Sequence, residues 1–205
     1  MSEVKDSRAK ILLAARRVFV EKGKDGARME QIAETAGVNK AMLHYYFTSK
    51  DLLYEEVFRD VFKTIFPLIF SIITSKDPFR NKVERMIDHY ISFLSENPEF
   101  PRLMGSELGR GGITLKKIVG TGDLTALMQH EIPLVDMVKQ GIKAGEIKSV
   151  DASHTIVSLM GMILFPFLAQ PLLEMLLSIP TDNYASFLKA RKKQIMKILD
   201  GGIFS

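Results

Sequence analysis

The stretch from Arg28 to Phe47, RMEQIAETAGVNKAMLHYYF, gathers side chains able to read or grip a polyanion. Asn39, Lys40, His44 and Tyr45 supply hydrogen-bond donors, acceptors and aromatic surface, and Arg28, Tyr46 and Lys50 beside them could hold a phosphate backbone. Apolar spacing places the set on two short helices, about Met29 to Ala36 and Lys40 to Phe47, joined by Ala36-Gly37-Val38-Asn39. A glycine in that turn gives the backbone freedom for two helices to meet steeply, and Ile32, Ala33, Val38 and Leu43 can seal the corner. Such a corner is either a plain αα-hairpin or a helix-turn-helix. In the second case the N-terminal residues of the second helix face base edges in the major groove, and its far end reaches phosphates. Helix N-termini add their own preference for phosphate.

The charge distribution bears on this choice. The formal net charge of the 205-residue chain is +4, and residues 1 to 50 hold ten basic and six acidic side chains against eighteen of each in the rest. All the surplus therefore lies around the corner. Cations set against phosphates release counterions on binding, so the interaction should weaken steeply with salt.

Other chemistries find no footing. The absence of cysteine excludes disulfides, thiolate zinc sites and cysteine nucleophiles. H-E-x-x-H, G-x-S-x-G and G-x-x-x-x-G-K-[ST] do not occur, and the four histidines show no metal-ligand spacing. Asp88-His89 and His130-Glu131 are sequence neighbours, which do not face each other on a helix. Gly109-Arg110-Gly111-Gly112 lacks the preceding strand of a phosphate cradle. The expectation is a non-enzyme with neither metal nor cofactor.

The elements that must position the corner read as all helical, since apolar residues recur at three and four throughout. A first helix spans about Asp6 to Lys22, with Ile11, Leu12, Ala15, Val18 and Phe19 on one face and Gly23 as its stop. Asn39 reads as an N-cap, and Thr48 with Asp51 as a capping box for a fourth helix running to about Ser71. Asp77-Pro78 and Asn97-Pro98 predict helix starts, and five glycines over 109 to 122 predict a loop. A helix from about Asp123 to Lys143 closes at Ala144-Gly145; Asp151 opens a long apolar one, and a last helix follows Pro180-Thr181-Asp182 and ends at Gly201-Gly202. The start of the chain, MSEVKDSRAK, lacks the pattern of a secretory signal, which predicts a cytoplasmic protein.

The block from Ser7 to Phe58 resembles the N-terminal domain of the tetracycline-repressor (TetR) family of bacterial transcriptional regulators. The matching features are Ile11, Ala14, Ala15 and Phe19, then Gly23, the IAETAGV segment, and the L-x-x-Y-F-x-S-K-x-x-L string from Leu43 to Leu53. The resemblance implies a homodimeric repressor or, less often, activator. Residues 1–50 would form a three-helix DNA-binding domain; residues 51–205, entered through the fourth helix, would form a helical effector-binding and dimerisation domain. The family's base-reading positions fall on Met29, Glu30, Lys40, Ala41, His44 and Tyr45, and its phosphate-holding ones on Arg28, Met42, Tyr46 and Lys50. Ala27, Met42 and His44 depart from residues common in the family, so no operator sequence transfers. Glu30 cannot hold a phosphate and, as a base reader, would suit the cytosine amino group.

Two features of the remainder follow from that frame. Between Thr155 and Ile179 the strongly polar side chains are Gln170 and Glu174 alone, a composition that fits either a membrane span or a helix buried on every side. Pro166 and Pro171 interrupt the run, and the resemblance implies burial against a second subunit in a four-helix bundle; a membrane-associated or protein-interaction module is the alternative. The family's inducer-enclosing helices carry Met86, His89, Phe93, Met104, Glu107, Met128, His130, Met160 and Phe165, with Gln170 as a further polar group. Methionines re-pack around irregular apolar molecules, so the expected ligand is a small, mainly hydrophobic inducer. The expected partners are therefore a pseudo-palindromic duplex DNA, that inducer and a second copy of the chain.

Overall fold

A computed structural model describes residues 2–120 and 133–204. Every named element among them is helical: α1 (Ser2–Gly26), α2 (Met29–Ala36), α3 (Lys40–Tyr46), α4 (Lys50–Ile73), α5 (Phe79–Glu96), α6 (Glu99–Gly109), α7 (Ile113–Gly120), α8 (Pro133–Lys143), α9 (Ala152–Leu168), α10 (Gln170–Leu176) and α11 (Tyr184–Gly202), with a 3-10 turn at Thr181–Asn183. The chain forms two compact units. Among the described residues one comprises 2–64 and 102–120, the other 65–101 and 133–204.

The first unit is organised by aromatic and aliphatic packing at its centre and by ion pairs around it. Ile11, Ala15 and Phe19 of α1, Ile32 of α2, Leu43 of α3, Tyr54 and Phe58 of α4, Leu103 of α6 and Ile118 of α7 are all closed to solvent. Phe19 meets the Tyr54 ring edge-on at 4.8 Å, and Tyr54 meets Phe58 edge-on at 5.2 Å, an edge-to-face arrangement that aromatic quadrupoles favour. Gly23 holds φ 69°, ψ 170° inside the span of α1, so the stop expected there is a sharp break followed by one more turn.

The second unit packs α5, α8, α9 and α11 around Phe79, Val83, Ile87, Leu94, Val138, Ile147, Ile163, Ile195 and Leu199. Side chains that bond backbone lock it: the Tyr184 hydroxyl donates to the Pro166 carbonyl, and Arg191 Nε to the Met162 carbonyl at 3.1 Å. Gly141 on α8 is a close-approach position, since a Cβ there would lie 2.9 Å from the Phe79 ring.

Several sequence expectations shift. The glycine-rich stretch 109–122 is no continuous loop, because α7 forms from Ile113; the buried Glu107 carboxylate accepts its Thr114 and Leu115 N–H groups and so supplies the N-terminal acceptor that glycine composition cannot reveal. Ser49, not Thr48, caps α4, its Oγ accepting the Leu52 N–H at 3.2 Å. Pro78 rather than Asp77 occupies the N-cap of α5, and the Glu146 carboxylate accepts the Phe79 N–H. Of the helix expected from Asp123, residues 133–143 are described. The long apolar helix is two helices, α9 and α10, bent by 84° at a break; among the described residues no single helix is long and apolar enough to cross a membrane.

Candidate nucleic-acid interface

The corner is built as its residues dictate. Gly37 takes the left-handed conformation, φ 66°, ψ 32°, and its N–H bonds back onto α2; any Cβ would be strained there. Asn39 then starts α3, its side chain accepting the Met42 N–H at 2.7 Å, so one oxygen expected to face DNA instead closes a helix end. Ile32, Ala33 and Leu43 are buried under the corner and Val38 is half-buried. What remains outward on α3 is Lys40, Ala41, Met42, His44 and Tyr45, with Tyr45 81% exposed. Tyr46 is half-buried with its ring 5.3 Å from that of Tyr45. Arg28 and Glu30 are exposed at the start of α2 and Met29 is half-buried.

The charged members differ in how they are held. Lys40 Nζ donates to Glu30 at 2.5 Å across the two helices. This hydrogen bond, ahead of the Coulombic effects of Lys40 and His44, holds the Glu30 carboxyl below its ordinary range, so Glu30 is an anion at neutral pH. Lys50 sits inward, donating to the Asp25 and Ala27 carbonyls at 3.0 Å each, which pins the turn leading into α2. Two of its three protons are thus committed before any phosphate arrives. The support behind the corner is laced by Lys24 with Asp51 at 2.9 Å, Arg16 with Asp60 at 3.3 Å, and Arg8 with Glu56. The Arg8 guanidinium also lies over the Phe47 ring at 5.6 Å.

The expected inducer residues fall in both units. Met104 and Glu107 belong to the first, and Glu107 is committed to α7 and fully buried. Tyr54, whose phenol is pushed well above its ordinary range by burial and then by the Glu107 charge, shares that interior. In the second unit Met86 and Phe93 are buried and His89 is half-buried on α5; Met160 and Phe165 are 43% and 52% exposed on α9. Burial lowers the His89 imidazole below its usual range against a hydrogen bond to the Ile65 backbone, and among the described residues nothing bonds its Nε2. Gln170 donates to Glu174 at 2.8 Å. Met128 and His130 lie outside the described residues. A surface groove of about 540 Å³ in the first unit is lined by Arg8, Leu12, Leu13, Arg16 and Asp60, none of them an expected pocket residue. Among the described residues no group of three His, Asp or Glu could hold a metal ion.

An exposed polar stripe on a capped second helix, behind a glycine turn, defines a helix-turn-helix domain in an all-helical protein. The sequence profile of the bacterial regulatory proteins of the tetR family matches residues 11–57, which covers that domain. The chain is 33% identical over 146 residues to the HTH-type transcriptional regulator RutR of Escherichia coli K12, covering 71% of this chain and 66% of that protein. It is 28% identical over 148 residues to the HTH-type transcriptional repressor NicS of Pseudomonas putida KT2440, covering 70% and 65% respectively. The matched stretch thus spans just under two thirds of these relatives. The crystal structure of HlyIIR, a hemolysin II transcriptional regulator, superposes with a TM-score of 0.62 at 25% identity over 91% of this chain and 97% of that one. The chain belongs to the TetR family.

Proposed function

We propose that this protein is a homodimeric, sequence-specific DNA-binding transcriptional repressor, cytoplasmic, that leaves a pseudo-palindromic operator when a small, mainly apolar inducer binds. The observation that carries the reading is the outward stripe of α3, where Lys40, His44 and the 81% exposed Tyr45 stand clear of the core that Leu43 anchors. Its repressing sign draws on the relative named a repressor.

Dimerisation is supported by the second unit's surface. Val157, Met160, Phe165 and Leu168 on α9, with Leu172, Met175 and Leu176 on α10, are each more than 40% exposed in the single chain. Apolar surface exposed on this scale costs free energy in water and would be covered if a second copy packed on it. Two heads then lie on one duplex, their α3 helices about 34 Å apart to meet successive major grooves. The apolar inducer is supported by the buried Met86 and Phe93 flanking His89 on α5. α4 runs as one helix from Lys50 to Ile73, so a ligand that tilts it resets the spacing of the heads. Pro67 within α4 has no N–H for the Lys63 carbonyl and so marks a bendable point. Inducer and operator favour different states, and each weakens the other by the same factor. In this scheme residues 1–50 read DNA and residues 51–205 bind inducer and partner.

The test is a titration of fluorescent duplexes recovered by the full-length protein from a randomised library. Tyr45→Ala should lower affinity without moving the thermal midpoint, because the side chain contributes nothing to the core. Unchanged affinity in both Tyr45→Ala and Tyr46→Ala removes the assignment of this face to DNA.

A further inference from the structure

We propose that Glu30 and Lys40 work as one unit that selects a G·C base pair at a fixed position of each operator half-site, Lys40 donating to the guanine and Glu30 accepting from the cytosine amino group. The inference rests on the helix-turn-helix reading of the head. Lys40 is the first residue of α3, the end of a recognition helix that faces base edges. A cation at that end opposes the helix dipole, so local helix stability does not explain its presence. Its countercharge comes from Glu30 in the first turn of α2, with Nζ and Oε1 2.5 Å apart and the side chains 59% and 61% exposed. An exposed pair of this kind adds little to folding. Facing a polyanion, Glu30 opposes binding unless it meets a donor.

The base edges supply one. Guanine presents N7 and O6 as acceptors and cytosine presents the N4 amino group as a donor. O6 and N4 are themselves joined within the pair by a hydrogen bond, about 2.9 Å between heavy atoms. The Nζ and Oε1 couple has nearly that spacing and the opposite polarity. Nζ can therefore donate to O6 or N7 while Oε1 accepts from N4, closing a ring in which donors and acceptors alternate. An A·T pair repeats one acceptor and one donor, thymine O4 and adenine N6, but the thymine O4 stands beside the C5 methyl, whereas guanine O6 stands beside N7, a second acceptor on the same base. Nζ, with three protons, is therefore served twice by guanine and once by thymine while Oε1 holds the amino group. His44 lies one turn along α3 from Lys40 and its charge also bears on Glu30, which places the couple within the outward stripe.

The experiment compares full-length wild type, Glu30→Gln and Lys40→Met in selection from a randomised duplex library, followed by titration of the selected duplex with single base-pair changes. The wild type should select a symmetric motif with a G·C pair at one position per half-site, preferred over A·T by on the order of tenfold or more. Each variant should bring that preference below about threefold and leave the other positions as they were. Glu30→Gln is isosteric and exposed, so thermal midpoints should coincide and any change in the motif reports on recognition. Unaltered G·C preference in both variants overturns the pairing, as does a wild-type A·T preference that Glu30→Gln abolishes. If the wild type selects no motif, the helix-turn-helix reading falls and the pairing falls with it, an outcome distinct from the other two.

Discussion

The two units of this chain expose opposite kinds of surface. The α2 and α3 corner shows water Lys40, Glu30, His44 and Tyr45 and buries Ile32, Ala33 and Leu43; α9 and α10 show water Val157, Phe165, Met175 and Leu176, the last three from 52% to 70% exposed. A polar stripe is well solvated on its own, and under the proposed function it is the surface that meets phosphate and base edges. An apolar stripe is not, and it is what a second copy of the chain would remove from solvent. On the proposed function, the contrast separates a surface whose partner would be transient and salt-sensitive from one whose partner would be permanent.

The largest effect should come from breaking the apolar end. Phe165→Glu with Met175→Glu places two carboxylates in the proposed seam and should halve the mass measured by sedimentation. The separated heads would lose bivalent attachment, and operator affinity should fall on the order of a hundredfold or more. A variant that stays dimeric moves the seam elsewhere. Next, Leu43→Ala at the polar end removes a side chain closed to solvent under α3 and should cost about 2–5 kcal/mol in denaturant unfolding. Its exposed neighbour Tyr45 should cost nothing there, which is the sharper half of the comparison.

Smaller effects test the first unit's support. Glu107→Ala strips the buried acceptor from the Thr114 and Leu115 N–H groups and should destabilise by about 1–3 kcal/mol. Tyr54 gives a pH signature from the same interior. Its phenol is raised in the folded protein, so the protonated ring's contribution is complete below the unfolded value near 10 and lost as pH rises past it. Unfolding midpoints should therefore drop above about pH 10 in the wild type and drop less in Tyr54→Phe.

Much of this was legible because local chemistry decided it. Gly37 and Asn39 could be read as turn and cap since left-handed backbone and a short acceptor side chain are properties of those residues alone. Where the partner is distant in sequence, composition and spacing could not show it. Glu107, expected as a pocket group, accepts the N–H groups of α7, and that helix was hidden under a glycine count. Lys50, expected to hold phosphate, also donates to two carbonyls more than twenty residues upstream. The Glu30 and Lys40 contact spans ten residues and two helices, so spacing gave no sign of it. Pro166 and Pro171 signalled an interrupted run, and the break falls at Ala169 with Pro171 in the first turn of α10, but its angle of 84° is not a property that composition encodes.

The smallest expected effect isolates the cap from the reading stripe. Asn39→Ala removes the acceptor that holds the Met42 N–H and should cost about 1 kcal/mol of stability. Asn39→Asp keeps an acceptor and adds a negative charge favourable to the helix N-terminus, so it should be at least as stable as wild type in a melt. Toward DNA the order inverts. The added carboxylate beside Lys40 faces the duplex and should weaken binding more than the alanine does. If instead both variants bind in proportion to their stability, Asn39 serves α3 alone, and recognition by the polar end begins at Lys40.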